Sequence, residues 1–180
     1  MIAALMITLG LISPPNSLFM ISEGIDIMRS ESDLEQIYVI CTQHAKYLLP
    51  VNAENPIQKL RELLSNPGFK TFVYRHQGSI IGFITFSKVE RSLFSLLFFS
   101  NKGFIWLVGM DKEYLKHGYS RYLFDAAFNS LREEGVNHVE LYVLSTNSEA
   151  RQVYEHYGFY NNSEYDDFDN LVPLTYRKDL

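Results

Sequence analysis

Apolar positions along this chain switch between two spacings. Ile25 to Arg29 alternates and predicts a first strand. Leu34, Ile37, Tyr38, Cys41, Ala45 and Leu48 then recur at intervals of three and four, the face of an amphipathic helix that ends before Pro50. Ser30 or Ser32 opens it, because each has a carboxylate three residues on, Asp33 and Glu35 respectively. Asn55-Pro56 starts a second helix with proline at the first helical position, and Ile57, Leu60, Leu63 and Leu64 form its buried stripe. Asn66-Pro67-Gly68 breaks it.

The pattern turns to strands next. Phe69 to Arg75 and Ile80 to Ser87 read as a hairpin across His76-Gln77-Gly78-Ser79. Arg91 to Phe99 is very apolar and reads either as a strand extension or as an insertion over the rest of the fold. Phe104 to Met110 is apolar almost throughout, which predicts a central strand buried on both faces. Gly118 to Glu134 has helical spacing, with Leu123, Ala126, Ala127 and Leu131 inward and Gly135 closing it. Val136 to Leu144 is a further strand. Asn147 or Ser148 opens a last helix that stops at Gly158. Phe159 to Phe168 and Leu171 to Arg177 suggest a final hairpin across Asp169-Asn170. The order β-αα-βββ-α-β-α-ββ describes one α/β domain with a mixed central sheet of about seven strands and about four helices.

Composition narrows the function classes. At 180 residues the chain fits one domain with a sizeable core. Its net charge of −5 and lack of any Lys/Arg run argue against nucleic acid as a partner. Cys41 is the only cysteine, which excludes an intrachain disulfide and fits a reducing, cytoplasmic setting. No Cys/His cluster has metal-ligand spacing, so no metal is expected. Residues 1–19 are apolar and uncharged. They lack the basic start of a signal peptide, and Ser13-Pro14-Pro15-Asn16-Ser17 interrupts them too early for a span of roughly 20 residues. They read as a start-site artefact ahead of Met20, or as an arm packing on the domain or on a second copy in a homodimer, ahead of any membrane contact. The domain proper is expected over residues 20–180.

The densest chemistry lies between Gly103 and Phe159. A strand enters the basic turn Lys116-His117-Gly118-Tyr119-Ser120-Arg121, which opens a helix. Backbone N–H groups at such a place hold phosphate. Downstream, Asn147, Ala150, Tyr154 and Gly158-Phe159 fall within thirteen residues of one another. The element order and these two motifs resemble the GNAT N-acetyltransferase superfamily, from Ile25 to the C-terminus. That family's turn reads Arg/Gln-x-x-Gly-x-Gly/Ala; Leu115 to Ser120 match it with Leu115 in place of the basic or amide residue and Ser120 in place of the second small one.

The resemblance implies acetyl-CoA as co-substrate, bound where the fourth and fifth strands splay apart, and a primary amine of unidentified kind as acceptor. Lys116, His117, Gly118, Tyr119, Ser120 and Arg121 would hold the pyrophosphate. Val108, Gly109 and Met110 would offer backbone groups to the acetyl-pantetheine arm. Gly109 matches a common bulge position, although a packing glycine explains it as well. Asn147 would bond the arm or cap its helix, or both. Tyr154 would act as general acid to the departing thiolate, since a phenol stays protonated at neutral pH. The resemblance identifies no base: His138, Glu140 and Asp111 read as surface residues, and Asp166, Asp167 and Asp169 as a charged hairpin end. An acyl-CoA-binding module with little turnover is the second expectation.

Overall fold

The computed structural model describes residues 23–48, 54–89, 101–163 and 173–180. In chain order the elements are β1 (Gly24–Ile27), α1 (Glu31–Gln43), α2 (Ala45–Leu48), α3 (Pro56–Leu64), β2 (Lys70–His76), β3 (Ser79–Lys88), β4 (Lys102–Met110), α4 (Tyr119–Glu133), β5 (His138–Leu144), α5 (Ser148–His156), β6 (Tyr160–Asn161) and β7 (Pro173–Asp179). A 3₁₀ turn, Lys112–Tyr114, follows β4.

Of the two serines, Ser30 caps α1. Its Oγ accepts from the Asp33 amide (3.1 Å), and Asp33 Oδ2 accepts from the amides of Ser30 (3.3 Å) and Arg29 (2.9 Å). The helix expected to run to Pro50 breaks at His44, which leaves α2 as a separate turn and gives five α-helices among the described residues rather than about four. The break has a long-range cause. His44 Nε2 lies 2.8 Å from the Met110 carbonyl and donates to it. Gln43 accepts the Lys112 amide (2.8 Å) and donates to Asp111 (2.9 Å). The end of α1 is thereby tied to the end of β4.

The seven strands form one sheet in the order β1-β2-β3-β4-β5-β7-β6. All neighbours are antiparallel except β4 and β5. One apolar layer puts Leu123, Phe124, Ala127, Phe128 and Leu131 of α4 against Ile84, Phe86, Ile105, Val139 and Leu141. The opposite layer packs Leu34, Ile37, Ile40 and Cys41 of α1 and Leu60 and Leu64 of α3 against Val73, Ile80 and Phe83. Strand β3 lies between the layers and is buried over all but its end residues. Strand β4, the run expected to be buried on both faces, is buried at Gly103–Ile105 and Gly109–Met110 but exposed at Trp106, because its ladder to β5 ends there. Residues 1–19, the Arg91–Phe99 stretch and the Asp169-Asn170 turn lie outside the described residues. The β6–β7 pairing, Tyr160↔Arg177 and Asn161↔Tyr176, bears out the antiparallel return expected there.

Candidate active site

The parallel ladder between β4 and β5 stops early. It pairs Lys102↔His138 through Ile105↔Leu141 and goes no further, although both strands continue. Beyond that point Trp106–Met110 and Tyr142–Leu144 diverge. The register between β3 and β4 slips at the same place: Phe86 pairs with Ile105 and Thr85 with Leu107, so Trp106 is the extra residue of a bulge. The bulge therefore sits at Trp106 and not at Gly109. Gly109 is a packing glycine: a Cβ there would stand 2.6 Å from Phe83 Cε1.

The divergence opens a cavity of about 200 Å³, lined from β4 by Ile105 to Val108, from β5 by Leu141 to Leu144, and by Tyr47, Leu48, Asn147, Tyr154 and Pro173. That volume suits the end of a larger ligand rather than a whole one. Part of its polar wall is backbone. The Asp111 amide donates to Ile81 O (2.8 Å), and bonded and unbonded positions alternate along an antiparallel pair. Gly109 and Leu107 thus bond to β3, while the backbone groups of Val108 and Met110 face the gap. His44 already occupies the Met110 carbonyl. Val108 is left presenting both a donor and an acceptor.

The basic turn follows the 3₁₀ turn after β4, and none of its residues lines the cavity. Lys116 (φ 64°) and Gly118 (φ 81°) are both left-handed, two positions apart, a backbone alternation that lets successive N–H groups converge on an anion. Gly118 is the N-cap of α4 and supplies no side-chain cap, and no acid lies in the helix's first turn. A Cβ on Gly118 would meet nothing within 4 Å, so the concave side of the turn is open. The Arg121 amide bonds Gly118 O (3.2 Å), whereas the Tyr119 and Ser120 amides carry no such bond at the helix start. Ser120 Oγ lies 3.0 Å from Tyr157 Oη, which links the turn to α5. The Tyr119 ring packs among Tyr74, His76 and Tyr114 and stacks on His117 of the turn at 6.3 Å. Lys116, His117 and Arg121 are exposed. His117 Nδ1 donates to Leu115 O (2.9 Å) and Arg121 pairs with Asp125 (3.4 Å). Leu115 is itself exposed.

Helix α5 brings its two motif residues to the cavity wall. Asn147 Oδ1 accepts the Ala150 amide (3.2 Å), which caps α5 and fixes the side chain with its amide nitrogen still available. Tyr154 is half-buried, with Phe159 (5.9 Å), Phe124 (6.2 Å) and Tyr176 (6.5 Å) around its ring. Burial pushes its phenol well above the ordinary value near 10. Its hydroxyl has no hydrogen-bond partner among the described residues.

The carboxylates and histidine weighed as bases sit elsewhere. His138 and Glu140 lie at the closed end of the β4–β5 ladder, where Glu140 pairs with Lys102 and His138 Nδ1 bonds Asn137 (2.7 Å). Burial, then the Arg177 charge, lowers the His138 pKa. Asp111 is consumed by Gln43 and by the Glu113 amide (2.9 Å). Asp166, Asp167 and Asp169 are outside the described residues. Among the described residues no three His, Cys, Asp or Glu side chains converge as metal ligands, and no helix is long and apolar enough to cross a membrane.

Sequence reasoning missed Tyr47, Leu48, Trp106 and Tyr142 as cavity residues. The only available signal was that Trp106 and Tyr142 sit on the two strands expected to splay. Ser145 was also missed: its Oγ is buried without a partner among the described residues, at the end of β5 just ahead of Asn147.

The site so far is a sheet splayed between its parallel strands, with a left-handed turn opening α4 and an asparagine and a tyrosine brought in by α5. Residues 31–159 match the Acetyltransferase (GNAT) family, and the chain belongs to that family of acetyltransferases. Mycothiol acetyltransferase of Beutenbergia cavernae is 46% identical over 57 residues, a match that spans 32% of this chain and 19% of that relative. Two solved structures share the fold. A GNAT-family acetyltransferase from Desulfovibrio desulfuricans superposes with a TM-score of 0.71 at 12% identity, covering 88% of this chain and 99% of that one. The PaiA N-acetyltransferase of Thermoplasma acidophilum, solved with coenzyme A, gives 0.61 at 20% identity, covering 87% and 99%.

Proposed function

We propose that this protein moves the acetyl group of acetyl-CoA to a primary amine by direct attack. The observation that carries the reading is the gap between β4 and β5, where the backbone of Val108 faces the side chains of Asn147 and Tyr154 across one cavity. The acetyl-pantetheine arm enters the gap as a pseudo-strand on Val108; Gly109 and Met110, which do not line the cavity, carry β4 past it. Asn147 bonds the arm from the α5 side. The left-handed turn from Lys116 to Arg121 holds the pyrophosphate through backbone N–H groups and the start of α4.

In the reaction the amine nitrogen attacks the thioester carbonyl carbon. The C–N bond forms, the C–S bond breaks, and the sulfur leaves with the bonding pair. Tyr154 donates its phenolic hydrogen toward that sulfur. A phenol held this high stays protonated at working pH, so the donor is present in every turnover. The acceptor enters as the free amine, having given its ammonium proton to solvent, and the nitrogen loses a second proton to solvent once the C–N bond has formed. Tyr154 regains the hydrogen it gives to sulfur from solvent before the next turnover. The PaiA relative's coenzyme A complex supports the same donor for this chain.

Calorimetry with acetyl-CoA tests the binding half, and absence of binding ends the proposal. Tyr154→Phe tests the chemistry: kcat should fall about 10²-fold with the acetyl-CoA Kd unchanged. A second reading, an acyl-CoA-binding module, is favoured by the lack of any His, Asp or Glu among the described cavity residues. Acetyl-CoA binding with no thiol release across an amine panel would select it.

A further inference from the structure

Trp106 is the only tryptophan of the chain, and it stands at the bulge that starts the gap. Bulges near reaction sites re-aim a side chain, and this indole is aimed and then held. Its Nε1 donates to Ser87 Oγ (2.9 Å). Phe69 stacks on it at 4.8 Å with 23° between ring planes, and Phe104 leans on it at 4.7 Å. It nevertheless remains 43% exposed and lines the cavity. A large apolar surface already fixed in one orientation has little left to lose on binding.

Its surroundings repeat the theme. Tyr142 comes from β5 across the gap, is 61% exposed and meets Phe104 edge-on at 5.0 Å. Tyr47, Leu48 and Pro173 complete the rim, and no described residue lining the cavity carries a charge. A free amino acid or an amino sugar brings a carboxylate or several hydroxyls, each needing a partner once buried. Among the described residues this wall offers a carboxylate no charged partner, only the Tyr47, Tyr142 and Tyr154 hydroxyls, the Asn147 amide and the Val108 backbone. It offers aromatic faces, which pack an apolar group and attract the ammonium beside it.

Given the acetyl-transfer reading above, we infer that Trp106 is the platform on which the acceptor is selected. The acceptor is a primary amine whose aromatic or alkyl portion lies on the indole, of the arylalkylamine class.

The single tryptophan makes the test direct. Titrating 2-phenylethylamine into the protein, with acetyl-CoA absent and then with CoA present, should quench or shift the intrinsic emission; glucosamine, glycine and a short alanine-initiated peptide should not. In turnover with acetyl-CoA, kcat/KM for 2-phenylethylamine should exceed that of each competitor by about tenfold or more. Trp106→Ala should raise the KM for 2-phenylethylamine about tenfold and leave the acetyl-CoA KM in place, with Trp106→Phe intermediate. If Trp106→Ala fails to fold, Trp106→Phe and the wild-type titration still decide. Silent emission with 2-phenylethylamine, an equal or better rate with any competitor, or an unmoved amine KM in the variants overturns the inference. Failure of acetyl-CoA to bind in calorimetry overturns the acetyl-transfer reading instead, and the amine titration is read independently of it.

Discussion

Gly109 and Gly118 look alike in the sequence and do opposite work. At Gly109 a methyl group would stand 2.6 Å from Phe83 Cε1, 3.1 Å from Leu48 Cδ1 and 3.2 Å from Ile40 Cγ2. Phe83 and Ile40 are fully buried and cannot step back. Gly109→Ala should therefore overpack this layer and cost about 1–3 kcal/mol. At Gly118 nothing lies within 4 Å, so Gly118→Ala pays only for φ 81°, about 1 kcal/mol. Its larger effect should be on acetyl-CoA affinity, because the strain falls on the turn whose amides converge. Thermal melts beside acetyl-CoA titrations separate the two, and a Gly109→Ala protein that melts with the wild type would contradict the packing argument. The sequence marked Gly118 through its basic flank and its place before a helix. It left Gly109 balanced between bulge and packing, because Phe83, Leu48 and Ile40 come from three other elements. Trp106 was invisible as the bulge for the same reason, since register is a property of a strand pair.

At the scale of elements, α1 is fastened at both ends by contacts of different legibility. Its start was written locally: Ser30 and Asp33 form a capping box within three residues. The structure adds that Asp33 Oδ1 accepts from Arg75 Nη2 (2.9 Å), whose Nε reaches Asp26 (3.2 Å), so the cap also ties α1 to β1 and β2. Its end was not legible, because the break at His44 follows from Met110, Asp111 and Lys112 far along the chain. The cap leads to a pH prediction. Burial works to raise the Asp33 carboxyl, yet the Arg29 amide, the Arg75 guanidinium and the Ser30 amide outweigh it and hold the pKa below the ordinary carboxylate value. Asp26 is lowered in the same way: burial is opposed by the Ile27 amide, Arg75 and Arg29. A depressed carboxylate stabilises the fold above its unfolded pKa, about 4, and loses that contribution as pH falls through the lower folded value. The urea midpoint should hold level above about pH 5 and decline below about pH 4. Asp33→Asn should lower the neutral plateau by about 1–3 kcal/mol and flatten the acid limb. An acid limb as steep in Asp33→Asn as in the wild type would locate the titrating group elsewhere.

The whole molecule is a sheet hinged at one ladder. On one side β1 to β4 are paired along their lengths; on the other β5 and β7 run together from His138↔Asp179 to Leu144↔Pro173. Among the described residues, the stretch Lys102–Ile105 with His138–Leu141, extended by the Asn137 amide donating to Asn101 O (2.9 Å), joins the two halves of the sheet. The element order and the downstream motif made the fold class readable, since each rests on local spacing. The aromatic wall of the cavity was not readable, because Trp106 and Tyr142 come from strands whose pairing ends where the cavity begins, and Tyr47 and Tyr154 from two separate helices. A ligand lying in the gap supplies the strand-to-strand contacts that the protein omits, so acetyl-CoA should act as a missing length of sheet. Mass action would stabilise the fold by about 2.7 kcal/mol at a hundredfold excess over Kd. A general stabilisation of that kind slows only the amides that exchange through global unfolding. A ligand in the gap should do more. Hydrogen exchange should slow locally at Val108 and Met110, which face the gap, and at Tyr119 and Ser120 in the turn, while the exposed hairpin at Gln77–Gly78 keeps its rate. Protection that rises only in the two buried layers, with Val108 and Tyr119 unchanged, would mean that acetyl-CoA binds away from the gap.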